Sequence, residues 1–341
     1  MSSINSIKYI NSYAQTNKVQ NVQNVSTPTP KAQQVDSVSF SKSNKVKSAS
    51  LGLIGSGILV TGASIGATLM ALKKINSRCF KKLAPKIEYK EAKTLQEAKE
   101  YAKNHLQIRK IEGFKEEDLD FLNWINEGLT YLSNKKNGEV LMPNKIKMTD
   151  IIKGKTMLDG TLTEIAGQMG GFFGGDTLTL SKKALHKRRK EEIDILKLYS
   201  EYCKNDPEKM NYKTIHSTVT KIIKDRKIKP SDLDITTNNF DIVLHEMGHL
   251  YHHKHATKLY ENLNLGRESL TKKYQSEDVK QALRAIDLFN TSKGITSKMS
   301  KYAQNSPQEF VAEVFSATMA GIKMPDDILD LYKKLGGADL V

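Results

Sequence analysis

Cysteine is nearly absent: Cys79 and Cys203 are the only two in 341 residues. That excludes a disulfide-stapled scaffold and a four-cysteine zinc ribbon. Acidic residues are scarce at one end only. Residues 1–90 hold 2 Asp/Glu against 13 Lys/Arg, whereas the other 251 residues hold 36 against 40. Of the net charge of +15, the N-terminal region therefore carries +11 and the rest only +4, and no nucleic-acid partner is expected. Residues 1–50 lack a helical apolar period and are rich in Ser, Asn, Gln, Val and Thr, the composition of a disordered polar tail. Charge is missing altogether from Leu51 to Leu72, 22 residues that as a helix would span about 33 Å, close to the thickness of a bilayer core.

Lys42, Lys45 and Lys47 flank that run on one side, and Lys73, Lys74, Arg78, Lys81 and Lys82 on the other. The pattern predicts a single transmembrane helix at residues 51–72, with the heavier basic flank favouring a cytosolic C-terminal domain. Gly62 and Gly66 form a G-x-x-x-G step through which two such helices can dimerise. The competing readings are a cleaved signal, a buried core helix, and the translocation segment of a secreted effector.

From about Tyr89 the pattern turns helical. Thr94 and Glu97 make a capping box ahead of Ala98, Tyr101, Ala102 and Leu106, and Leu119, Leu122, Ile125, Leu129 and Leu132 follow at helical spacing beside Trp124. Residues 139–180 read as β-rich. Phe172-Phe173, Gly174-Gly175 and Asp176 to Leu180 predict a hairpin closed by a two-residue glycine turn. The basic run Lys182 to Lys190 opens a helix and reads as a solvated face. Residues 85–160 are expected to form the N-terminal helical and β part of a catalytic unit, with its core in residues 161–341.

Five of the 8 histidines fall between His245 and His255. His245-Glu246-x-x-His249 follows an apolar run, and on a helix its two imidazoles lie one turn apart on one face, able to reach a single metal ion. Glu246 is then placed to act on a water at the metal. A catalytic zinc needs a third protein ligand and an open position. His255 occupies the third-histidine position of the long metzincin motif, but His252 stands where that motif has its turn glycine. On an unbroken helix His255 lies about 15 Å from His245 along the axis and cannot reach the ion. The alternative is Glu309 in Ser306-Pro307-Gln308-Glu309, with Glu313 one turn behind it. Ser306-x-x-Glu309 is also a capping box, which leaves Glu309 a purely local role as the competing reading.

The paired segments His245–His249 and Ser300-x-Tyr302, Asn305, Glu309-Phe310-x-Ala312-Glu313-x-Phe315 resemble the catalytic domain of anthrax toxin lethal factor and its bacterial zincin-like relatives. The resemblance covers about 160 residues, from the glycine hairpin onward, and implies an α+β zincin-like metallopeptidase domain: a small twisted sheet, an active-site helix and a C-terminal helical subdomain. It further implies Zn2+ on His245, His249 and Glu309, Glu246 as general base, Tyr302 as oxyanion donor, and Glu313 orienting a ligand from behind. The sequence departs from the family in Lys301, an extra residue beside Tyr302, and in the crowding of His252, His253 and His255. Nothing matches the family's docking domain, so no substrate carries over beyond a protein or peptide. The expected activity is zinc-dependent endopeptidase cleavage at a membrane, with Thr177 to Leu180 as the strand that pairs with substrate. Its rivals are a secreted or translocated metalloprotease effector and a metal-stabilised binding protein without turnover.

Overall fold

The computed structural model describes residues 80–340, apart from 85, 157–161, 171–175, 230, 231, 234 and 272–275. The polar tail at 1–50 and the segment at 51–72, with Gly62 and Gly66, lie outside the described residues. Among the described residues no helix is long and apolar enough to cross a membrane, so the single-pass membrane expectation does not stand. The longest described helices have 17 residues, about 26 Å, and both carry charges along their length.

The described residues fold as a mixed α+β unit. After β1 (Phe80–Lys82), α1 (Leu95–Asn104) starts at Thr94, whose hydroxyl accepts the N–H of Glu97 at 3.2 Å. The return bond from Glu97 goes to the N–H of Lys93 at 2.8 Å, one residue earlier than a standard capping box places it. Next come β2 (Lys110–Glu112) and α2 (Leu119–Lys135), which buries Phe121, Leu122, Trp124, Ile125, Leu129 and Leu132 as the apolar spacing predicts. Strands β3 (Glu139–Leu141), β4 (Lys145–Thr149), β5 (Ile152–Thr156), β6 (Leu162–Ile165), β7 (Gly167–Gly170) and β8 (Thr177–Ser181) make up the β-rich stretch.

The strands form two antiparallel pairs, β1 with β3 and β5 with β6, and a four-stranded sheet in the order β2-β4-β8-β7. In that sheet β2, β4 and β8 run parallel and β7 runs antiparallel to β8. Ile146 and Met148 sit opposite Leu178 and Leu180, all four buried on one face. This arrangement corrects two expectations. The strand at 177–181 is interior, between β4 and β7, and the edge beside the site is β7. The hairpin register pairs Gly170 with Thr177 and Met169 with Leu178, two residues off the register of a turn at Gly174-Gly175. A shift of two residues keeps the same faces inward, so Met169 stays on the buried side and lies opposite Leu178 instead of Leu180.

Helix α3 (Lys182–Leu198) packs with α4 (Tyr212–Asp225) around a satellite core of Ile195, Leu196, Ile215, Val219, Ile222 and Ile223. Lys183, Lys187 and Lys190 are exposed as expected of a solvated face, but Arg188 turns inward and pairs with Asp241. Asp241 opens α5 (Asp241–His255), a helix buried from Asp241 to His253. The chain continues through α6 (Thr257–Leu263), α7 (Gly266–Thr271), α8 (Glu277–Thr291) and α9 (Lys293–Thr296). A 3-10 turn at Tyr302–Gln304 then leads into α10 (Pro307–Met319) and α11 (Asp326–Lys334). The main core joins the sheet, α2, α5 and α10, and α5 rests against α10 along their buried faces.

Candidate metal centre

Two helices meet at the site, and Gly248 sets how close they come. A Cβ at Gly248 would lie 2.8 Å from Ala312 Cα and 3.0 Å from the Ala312 carbonyl oxygen, both backbone atoms of α10. Only glycine permits that approach, which explains a residue that otherwise costs about 1 kcal/mol inside a helix. Gly248→Ala is expected to push α10 away from α5. Circular dichroism should show a folded chain with a lowered Tm, and its metal content should fall well below that of the wild type.

On α5, His245 and His249 stand one turn apart with ring centroids 4.9 Å apart. On α10, Pro307 occupies the first turn and Ser306 Oγ accepts the N–H of Glu309 at 3.2 Å. Half of the capping box therefore forms. The Glu309 carboxylate does not return to Ser306: its Oε2 lies 3.0 Å from His245 Nε2 and 3.3 Å from His249 Nε2. Ligand atoms from His245, His249 and Glu309 all lie within 4.8 Å of one another, a cluster able to hold a metal ion. The spacing fits the donor chemistry. Two ligands of a tetrahedral ion with bonds of about 2.0–2.1 Å sit about 3.3 Å apart.

Glu313 backs this set. It is 1% exposed, and its Oε1 lies 2.7 Å from His245 Nδ1. Because a carboxylate only accepts, Nδ1 carries the proton and Nε2 is directed at the cluster. The other Glu313 oxygen accepts from the Thr236 hydroxyl at 2.7 Å and from the Thr236 N–H. Burial lowers the proton affinity of His245, but the flanking Glu309 and Glu313 outweigh it and hold the imidazole well above its usual range. Burial likewise works to raise Glu309, yet His249 and His245 pull its carboxyl well below the carboxylate range.

Glu246 takes no part in the three-donor cluster. It is buried against β7, where a Cβ on Gly167 would come within 3.0 Å of its Cγ and Oε1. Burial pushes its carboxyl up, opposed by the charges of His249 and His245 and by a hydrogen bond from the Met169 backbone. Tyr302 presents its ring edge-on to His245 at 5.6 Å between centroids. His255 sits exposed on the last residue of α5, outside the cluster. His252 is fully buried, edge-on to Tyr260 at 5.0 Å, and burial together with neighbouring imidazoles pushes its pKa down to about 3. The helix thus runs unbroken through the position where a turn glycine would be needed.

Sequence reasoning missed Thr236 and Gly248. A glycine inside H-E-M-G-H was a readable signal, since mid-helix glycine needs a packing reason. Thr236 had none, because its partner is 77 residues away. No family model, curated protein or solved structure matches this chain.

Proposed function

We propose that this chain is a zinc-dependent metalloendopeptidase with a zincin-like catalytic domain, acting on a protein or peptide substrate. The supporting observation is a buried carboxylate, Glu246, set between the two histidines in sequence yet held apart from the three-donor cluster, against the sheet edge. A purely structural metal site closes with four ligands and has no use for such a group. Two imidazoles and one carboxylate suit catalytic zinc, with one position left open.

Zinc held by His245, His249 and Glu309 would supply Lewis acidity toward the scissile carbonyl and a water molecule. Glu246 takes the proton of the attacking water and returns it to the leaving amine; burial shifts its carboxyl upward, the direction that makes its carboxylate a stronger base. Glu313 keeps His245 in the required tautomer, and Thr236 keeps Glu313 in place. The β7 edge lies beside Glu246 and supports main-chain pairing with an extended peptide.

Tyr302 donates a hydrogen bond to the developing oxyanion. Tyr302→Phe is expected to keep zinc and KM while losing about 2.7–4 kcal/mol of transition-state stabilisation, about 10²–10³ in kcat. A Phe variant with wild-type kcat makes Tyr302 a packing residue. The activity itself is tested by zinc analysis of the full-length chain and digestion of a broad peptide library, with and without chelator. Cleavage that chelator abolishes and zinc restores is the expected result. A zinc-loaded chain that cuts nothing in the library defeats the proposal.

A further inference from the structure

Behind the metal helix lies a buried charged cluster that the chemistry above does not use. Arg188 and Glu192 come from α3, His216 from α4 and Asp241 from α5, and all four are buried. Arg188 pairs with Asp241, and its Nε donates to Glu192 Oε1 at 3.3 Å. His216 Nδ1 lies 2.5 Å from the same Oε1, while Nε2 lies 2.8 Å from the Asn238 carbonyl oxygen and 3.5 Å from Asp241 Oδ1. The ring also meets two uncharged aromatic side chains, Tyr212 stacked at 5.8 Å and Trp124 edge-on at 6.1 Å.

Both nitrogens of His216 therefore face only acceptors. A neutral imidazole has one N–H and satisfies one of them; an imidazolium satisfies both. The proton belongs on His216 rather than on Glu192, because imidazole is the stronger base by about two units and Arg188 donates to the same carboxylate oxygen. Arg188 and His216 then balance Glu192 and Asp241, which is the condition for charges to stay buried.

The cluster connects to the metal centre through the segment before α5. Asn238 hands its side-chain amide to Ser316 Oγ on α10 at 3.1 Å, and Trp124 Nε1 donates to the Asn239 carbonyl at 2.8 Å. Two residues before Asn238, Thr236 holds Glu313, which holds His245. We propose that His216 is a buried imidazolium and a positioning residue for the metal centre, its two N–H groups clamping the Asn238 carbonyl to Glu192 and so fixing the segment from which Thr236 holds Glu313 on His245. The protonation state is independent of the peptidase reading; only its consequence for zinc rests on that reading.

Burial alone lowers the proton affinity of His216, but Glu192 and Asp241 outweigh burial and the opposing Arg188 charge, and the net direction is upward. A raised folded-state value gives a contribution to stability that is complete below about pH 6.5 and is lost as pH rises through the folded value. The test is nitrogen NMR of the full-length, zinc-free chain labelled at histidine, with His216 assigned by its contacts to Tyr212 and Trp124. At pH 8, where an ordinary histidine is about 97% neutral, both His216 nitrogens are expected to carry protons. One bare ring nitrogen at pH 8 overturns the proposal. Glu192→Gln is expected to return the ring to the neutral form at pH 8 and to weaken zinc binding about tenfold by chelator competition, the lower end of losses seen for direct outer partners of a ligand. The control is Arg226→Gln, which breaks an exposed pair with Glu201 and should leave the zinc Kd unchanged. A Glu192→Gln chain with the wild-type zinc Kd removes the positioning role even where the imidazolium signature is present.

Discussion

Glu309→Ala is expected to lose most of its zinc and its peptidase activity together, while His255→Ala, prepared beside it, stays loaded and active. The reason is geometric. Glu309 Oε2 sits within 3.3 Å of both histidine Nε2 atoms, whereas His255 is exposed at the end of α5. A site of three protein ligands that loses one holds its ion far more weakly. The capping alternative predicts something else: a loss of about 0.5–2 kcal/mol in stability with metal stoichiometry intact. The bond from the Glu309 N–H to Ser306 survives the alanine substitution, so the fold should lose little. Zinc per chain, measured by atomic spectroscopy after dialysis, separates the two. An empty His255→Ala protein beside a loaded Glu309→Ala protein would falsify the assignment of Glu309 as third ligand.

Glu246→Gln is expected to keep the zinc and lower kcat by about 10²–10⁴-fold, the worth of a positioned general base. The substitution preserves shape, which matters because the side chain packs so close to Gly167 that a Cβ added there would lie 3.0 Å from it. It also removes an ionised group whose carboxyl is shifted upward by burial. A carboxyl raised in the folded state favours its neutral form, so at pH 7 the ionised Glu246 lowers stability. The zinc-free Glu246→Gln chain should therefore melt at or above the wild-type temperature. Unchanged turnover in this variant would point instead to a metal-stabilised binding protein, with cleavage arising elsewhere.

Local patterns were legible where a single element satisfies them. The imidazoles of His245 and His249 need one helix turn to face one ion, and the apolar spacing of Leu119 to Leu132 needs one helix to be buried. Arg188 was not legible in this way. It sits in a basic run that reads as solvated, and it is buried because Asp241, 53 residues on, accepts its charge. The hairpin register was not legible either: Gly174-Gly175 signals a turn, but a shift of two residues keeps Met169 on the buried face, so strand alternation does not choose between the two registers.

The H-E-x-x-H pair, the helix that carries it and the exclusion of His255 were determined by the chain itself, because helical periodicity dictates which neighbours share a face and how far a residue is carried along the axis. The third donor was decided by tertiary structure alone. Ser306-x-x-Glu309 satisfies a cap and a ligand equally well as a sequence. Only the close approach of α10 to α5 at Gly248, with Glu313 braced by Thr236, turns the Glu309 carboxylate from its own backbone to the two imidazoles.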